Sequence, residues 1–198
     1  MGRLIVISGP SGAGKGTLIK QALSQLPGVV LSVSATTRPR RRGERQGREY
    51  FFLKEPEFHR WIEEGRFLEW AEYAGHLYGT PAAFVDASLA AGQDVVLEIE
   101  LRGAAQVLAK HPEAVMVYIV PPSLEELERR LRERNTEGED AIRSRLARAR
   151  EELAEVEAKV RAGLPQFHYV IVNDTVERAG KELVEIVRKL REQAQSTS

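Results

Sequence analysis

The residues with the most evident chemistry are the nine of "GPSGAGKGT", Gly9 to Thr17. They follow the apolar run "RLIVIS" and lead into "LIKQALSQL", whose apolar spacing is helical. A strand, a glycine-rich turn and a helix in that order form an anion-binding context. Gly9, Gly12 and Gly14 let successive backbone N–H groups converge on one anion. The helix starting near Lys15 adds the positive end of its dipole. With Pro10, Ser11 and Ala13 completing the turn, the expected guest is the phosphate chain of a nucleotide, its outer phosphates neutralised by Lys15. Gly16 stands where such a loop usually carries a metal-binding hydroxyl, and Thr17 follows it. The glycine removes one metal ligand but no phosphate-binding amide. A magnesium ion carried mainly by triphosphate oxygens and water tolerates that loss, with Thr17 the candidate direct ligand.

Other groups invite weaker readings. Glu98 and Glu100 close the apolar run "DVVLEIE", where strand alternation sets both on one face. Carboxylates there are costly unless paired. "RPRRRGER", Arg38 to Arg45, reads by itself as a solvated basic loop. The chain has 29 basic and 29 acidic residues and no basic stripe, which argues against a nucleic-acid partner. His59, His76, His111 and His168 lack metal-ligand spacing and read as surface or packing residues. No serine or cysteine nucleophile stands beside a base. With Cys 0, disulfides, thiol chemistry and cysteine zinc sites are excluded, which fits a reducing compartment.

The elements that must position these groups alternate. "LIVIS", "VVLSVS", "DVVLEIE", "AVMVYIV" and "HYVIVND" read as buried strands. "GTLIKQALSQL", "GAAQVLAKH", "LEELERRLRERN" and "VERAGKELVEIVRKLREQ" carry helical periodicity. This predicts an α/β domain, a parallel sheet wrapped by helices with ligands at the carboxyl ends of its strands. A 198-residue chain with 42% hydrophobic residues suits one compact domain. Two stretches break the rhythm. Residues 35–81 are polar and aromatic, with their own "EYFFL" strand and "PEFHRWIEEG" helix, and read as an inserted subdomain. Residues 123–160 form a charge-dense helical pair interrupted by "RNTEGED". No apolar run approaches the ~20 residues of a membrane span, and no signal-peptide layout is present, so a cytoplasmic protein is expected.

Six further segments fall in the order of one known family. "SVSATTRPRRRGERQGREYFF", "FLEWAEYAGHLYGT", "VVLEIELRGAAQV", "YIVPPSLEEL", "RLRERNTE" and "VIVND" together resemble guanylate kinase over nearly the whole chain. The "GKGT" ending is similar to that of adenylate-kinase-type enzymes. The resemblance implies a P-loop kinase core with helices on both faces of its parallel sheet (residues 1–34, 82–122 and 161–198). It also implies a small α+β GMP-binding subdomain (35–81) and a helical lid (123–160). The implied activity is magnesium-dependent transfer of the ATP γ-phosphate to GMP, giving ADP and GDP.

Residue roles follow from the same resemblance. Ser34, Arg38, Arg41, Tyr50, Glu69, Tyr78 and Thr80 fall on GMP-binding positions. Arg38 and Arg41 suit a phosphate clamp. Glu69, an acceptor-only carboxylate, suits guanine's adjacent N–H donors, which adenine lacks. Glu98 and Glu100 face the magnesium waters or, for Glu100, the guanine amino group. Arg130, Arg134 and Arg145 match arginines that close over the phosphates, whereas Arg129, Arg132, Arg143 and Arg148 read as outer-face residues paired with glutamates. Asn173 matches the adenosine side of the ATP site, and Asn173 and Asp174 are also placed to cap the final helix. Glu100, Arg102 and Arg40 stand where the family usually has aspartate, glutamine and proline. The implied partners are ATP and GMP, with no nucleic acid or membrane, in a monomer or homodimer. The rival readings are an inactive protein-binding module of the same shape, a kinase for a ribose bisphosphate, and an adenylate kinase. Lys15 and the lid arginines argue against the first. Ser34, Glu69 and Thr80 argue against the other two.

Overall fold

A computed structural model describes residues 2–133, 138–162 and 167–195. In chain order they form β1 (Leu4–Ser8), α1 (Lys15–Leu23), β2 (Val29–Leu31), β3 (Ala35–Thr36), β4 (Phe51–Phe52) and α2 (Glu55–Glu63). Then come β5 (Phe67–Tyr73), β6 (His76–Pro81), α3 (Ala82–Ala90), β7 (Asp94–Glu98) and α4 (Leu101–Lys110). β8 (Val115–Val120), α5 (Leu124–Glu133), α6 (Glu139–Arg161), β9 (Tyr169–Val172) and α7 (Val176–Gln195) complete the chain. A five-stranded sheet has the order β2-β7-β1-β8-β9, with β2–β7 and β8–β9 pairing parallel. The apolar runs read as strands supply all five.

Two compact units divide the chain, the first boundary falling between Val6 and Ile7 of β1. The first holds the residues up to Val6 and Gly28–Val115. Its strand β7 buries Val95, Val96 and Leu97, and α4 turns Leu101, Ala104 and Val107 inward at helical spacing. A second sheet of order β4-β3-β6-β5 falls wholly within Ala35–Pro81. Its core gathers Ala35, Phe67 and Leu77 against Phe58, Trp61 and Ile62, which are i, i+3 and i+4 on α2. Phe58 and Phe67 stack at 4.5 Å.

The predicted six-residue strand "VVLSVS" is shorter: β2 ends at Leu31, because the chain leaves the first sheet at Ser32, which still pairs with the Val96 carbonyl, and enters the second at Ala35. The β5–β6 hairpin turns on Ala74 and Gly75, both at positive φ (51° and 75°), between the paired Tyr73 and His76. Such a turn matches strand twist and normally takes asparagine or glycine first. The "AG" pair therefore hides the hairpin from a reader of turn signals. Helix α3 carries no clear sequence signal either, because its stretch "AAFVDASLA" lacks a polar face to mark its period.

The second unit holds Ile7–Pro27 and the chain from Met116 onward. Strand β8 buries Met116 through Ile119. Helices α1 and α7 pack together, with Leu18, Ile19 and Ala22 on one and Ala179, Leu183 and Val187 on the other buried. The charge-dense segment is a helical hairpin. Leu127 and Leu131 of α5 meet Ile142, Leu146 and Ala149 of α6, flanked by Leu124. On the outer faces Arg129 pairs with Glu126 and Glu133, Arg132 with Glu128 and Glu139, Arg143 with Glu139, and Arg148 with Glu152. Exposed pairs of this kind add little stability each.

Candidate active site

In the second unit the glycine-rich loop joins β1 to α1. Gly9, Gly12 and Gly14 have φ of 149°, 94° and 87°, and the Ala13 N–H donates to the Pro10 carbonyl at 3.1 Å. Gly14 is the residue from which α1 departs, in left-handed geometry that a side chain would strain. Lys15 is only 8% exposed, and its Nζ donates to the carbonyls of Gly9 (2.6 Å) and Pro10 (3.3 Å). A buried ammonium needs such partners, and neutral carbonyls hold it less tightly than an anionic oxygen would. Pro10 and Ala13 are buried, Ser11 and Gly16 half-buried, and Thr17 exposed.

Two further elements close on this loop. A Cβ on Gly12 would stand 2.8 Å from Leu127 Cδ1, so α5 lies directly over the loop. A Cβ on Gly14 would stand 2.5 Å from Asn173 Nδ2 and 4.0 Å from Arg130 Nη1. Asn173, buried just after β9, donates from Nδ2 to the Ala13 carbonyl at 2.6 Å, while its Oδ1 has no hydrogen-bond partner among the described residues. Arg130 donates to the Asn173 carbonyl (2.9 Å) and to Glu126 (2.7 Å). The loop, Lys15, Arg130 and Asn173 are thus one cluster. Arg145 is half-buried on α6, and Arg134 lies outside the described residues. The expected capping by Asn173 and Asp174 is corrected. Thr175, directly before Val176, caps α7, its Oγ1 accepting from the Arg178 N–H at 3.3 Å; Asp174 Oδ1 instead accepts from the Thr175 N–H at 2.6 Å and from Arg178 Nε at 2.7 Å, and Asn173 lies two residues before the cap with its Nδ2 on the loop.

The first unit gathers a different set. Glu69 is 4% exposed and accepts from Thr80 Oγ1 at 2.6 Å. Burial pushes its carboxyl up to about 7, against the Thr80 hydrogen bonds, which pull it down. Lys110 acts in the same direction as Thr80, and Glu100 against it. Tyr50 and Tyr78 meet edge to face at 6.0 Å, with the Arg38 guanidinium 5.4 Å from the Tyr50 ring centre. The Tyr50 hydroxyl is pushed up to about 12, by burial first and then by the charges of Glu98 and Tyr78, so it stays a donor at neutral pH. Arg38 grips Glu44 through both terminal nitrogens, at 2.7 and 3.1 Å, and the Arg41 N–H reaches the same carboxylate at 2.7 Å. The Arg41 side chain is exposed and Ser34 is half-buried. Strand β7 stops at Glu98, so Glu100 is positioned as the cap residue before α4 rather than by strand alternation; its Oε2 is buried with no hydrogen-bond partner among the described residues. Arg40 and Arg102 are exposed.

The chain matches the guanylate kinase family model over residues 1–190. The chain belongs to the guanylate kinase family. Among curated relatives, the guanylate kinase of Rubrobacter xylanophilus is 56% identical over 189 residues, covering 96% of this chain and 95% of that one. A Synechococcus guanylate kinase is 52% identical over 182 residues, covering 92% and 80%. The crystal structure of guanylate kinase from Anaplasma phagocytophilum superposes with a TM-score of 0.76 at 31% identity, covering 95% of this chain and 85% of that one. A shikimate kinase from Bacteroides thetaiotaomicron, at 18% identity and a TM-score of 0.50, shares the fold alone.

Four residues of this guanylate kinase family member escaped the sequence reading. Glu44 fills the fork of Arg38, and Gly103, Gln106 and Lys110 of α4 line the neighbourhood of Glu69. The last three recur at i, i+3 and i+7, a legible stripe, but nothing in the sequence says which strand it faces.

Proposed function

We propose that this enzyme transfers the γ-phosphoryl group of ATP to GMP, with base selection by Glu69. The carrying observation is the buried Glu69–Thr80 pair. Its carboxylate offers only acceptors in a dry pocket, so a base edge with adjacent N–H donors is favoured and an adenine leaves it unpaired. Sites that pair a substrate this way discriminate by ~10⁴-fold or more.

Arg38 and Arg41 hold the acceptor phosphate in this reading. The Arg38 fork already accommodates an oxyanion of the right spacing in Glu44. Tyr50 and Tyr78 donate to the same phosphate without adding charge, and Ser34 and Thr80 complete the base pocket. The loop from Gly9 to Thr17 cradles the ATP phosphates, Lys15 exchanging loop carbonyls for phosphate oxygens. Arg130, Arg145 and Arg134 spread charge over the transferring group, and Asn173 borders the adenosine side through its unpaired Oδ1. The acceptor oxygen is already anionic near neutral pH, so alignment and charge neutralisation suffice without a strong base.

Thr17 offers one exposed hydroxyl beside the loop, and the described residues gather no group of three acidic or imidazole ligands. That donor set fits magnesium, which keeps several waters and takes other oxygens from ATP. Thr17 would hold it directly, and when bound it would neutralise charge on the phosphate oxygens. We further propose a cytoplasmic monomer or homodimer acting on free nucleotides rather than on nucleic acid or membrane. Supporting this, no described helix is long and apolar enough to cross a membrane and the net charge is zero. A coupled ADP-release assay across nucleoside monophosphates tests the reading. GMP is expected to be the preferred acceptor, and Glu69→Gln to erode that preference; preferential phosphorylation of AMP overturns it.

A further inference from the structure

Strand β5 carries Glu69 on the edge of its sheet, so its outer backbone groups have no neighbouring strand among the described residues. Its pairing with β6 is also interrupted just before Glu69. Phe67 opposes Pro81 and Glu69 opposes Thr80, so Leu68 is an extra residue outside the ladder. A bulge of this kind re-aims the next side chain and loosens the strand locally. Helix α4 supplies what is missing. Lys110 Nζ donates to the Leu68 carbonyl at 2.6 Å. The Gln106 amide pairs with Trp70 twice, Nε2 to the carbonyl at 2.7 Å and Oε1 from the N–H at 3.3 Å, as a neighbouring strand would. One turn earlier, a Cβ on Gly103 would lie 2.3 Å from Glu69 Oε2 and 3.0 Å from its Cδ. Glycine is a poorer helix former than alanine, and here its missing Cβ leaves room for the carboxylate.

We propose that Gly103, Gln106 and Lys110 are positioning residues for base selection: Gln106 and Lys110 latch the bulged edge of β5, and Gly103 is the seat against which the Glu69 carboxylate is set. A strand with loose edge bonds would let that carboxylate wander, and selection by hydrogen bonding demands that it not do so. Lys110 and Glu100, at opposite ends of α4, are the charged groups that act on it. The inference rests on the assignment of Glu69 to the base.

The experiment is steady-state kinetics with GMP and AMP on Gly103→Ala, Gln106→Leu, Lys110→Met, Glu69→Asp and the double variant of Gly103→Ala with Glu69→Asp. Gly103→Ala is expected to raise the KM for GMP about tenfold and narrow the preference for GMP over AMP. Its kcat and the KM for ATP should stay within about twofold, a split that general loosening would not produce. Gln106→Leu and Lys110→Met should do the same to a smaller extent, about threefold each. The shorter aspartate withdraws from the added methyl, so the double variant should lose less than the product of the two single losses. Normal KM for GMP in all three α4 variants, or strictly multiplicative losses in the double variant, overturns the proposal. If Glu69→Asp alone leaves GMP binding and base preference untouched, the base assignment itself fails and takes this inference with it.

Discussion

Burial raises the Glu69 carboxyl to about 7, and the sign of that shift matters twice. A carboxyl whose folded value exceeds its ordinary ~4.5 stabilises the fold fully below that ordinary value, and the benefit is lost as pH rises through about 7. Guanine's donors need the opposite form, the carboxylate. The KM for GMP should therefore fall about tenfold between pH 6 and pH 8 as Glu69 ionises, while the thermal stability of the free enzyme declines over a lower window, from about 4.5 to about 7. Glu69→Gln should flatten both trends; pH-resolved kinetics and thermal melts check this. A flat GMP profile in the parent enzyme would mean that Glu69 does not meet the base as an anion. Burial of this carboxylate was not legible in "FLEWAEY", where it could equally be a surface acid. Its environment depends on Thr80, 11 positions away, and on Gly103.

Strand β9, the glycine-rich loop and helix α5 form one connected group. Asn173 ties the end of β9 to the Ala13 carbonyl, and Arg130 of α5 binds the Asn173 carbonyl in turn. Asn173→Ala strands a buried carbonyl, at a cost of about 1–3 kcal/mol. In a chain of this size that should lower the melting midpoint by roughly 2–12 °C. Because the lost bond holds the phosphate loop, the KM for ATP should rise more than the KM for GMP; equal changes would show that Asn173 serves the fold alone. The helices and strands that frame this group were readable from period and composition, since parallel strands are continuous apolar runs and α5 repeats its leucines at i, i+3 and i+7, but the expected burial of β9 is corrected: Ile171 is buried while Val170 and Val172 are exposed. The link through Asn173 was not, because it joins positions 160 residues apart.

At the scale of the whole molecule, the groups proposed to bind nucleotide divide between the two units. The loop, Lys15, Arg130 and Asn173 belong to one, and Arg38, Tyr50, Glu69, Tyr78 and Thr80 to the other. Each nucleotide should then stabilise the enzyme independently, by about 2.7 kcal/mol at a hundredfold excess over its Kd. Thermal shift with each nucleotide alone measures this. Lys15→Ala should lose most of the ATP shift, keep the GMP shift and cut kcat by ~10³-fold or more. Loss of both shifts would mean that Lys15 supports the fold rather than the phosphates. The sequence alone determined the α/β alternation, the phosphate loop and the family, because these depend on local spacing and on an ordered set of motifs. The tertiary structure decided what surrounds each charge: the carbonyls on Lys15, the dry seat of Glu69 against Gly103, the latch of Gln106 and Lys110 on a bulged edge. Desolvation and backbone pairing are set by atoms distant in the chain, and no window along it contains them.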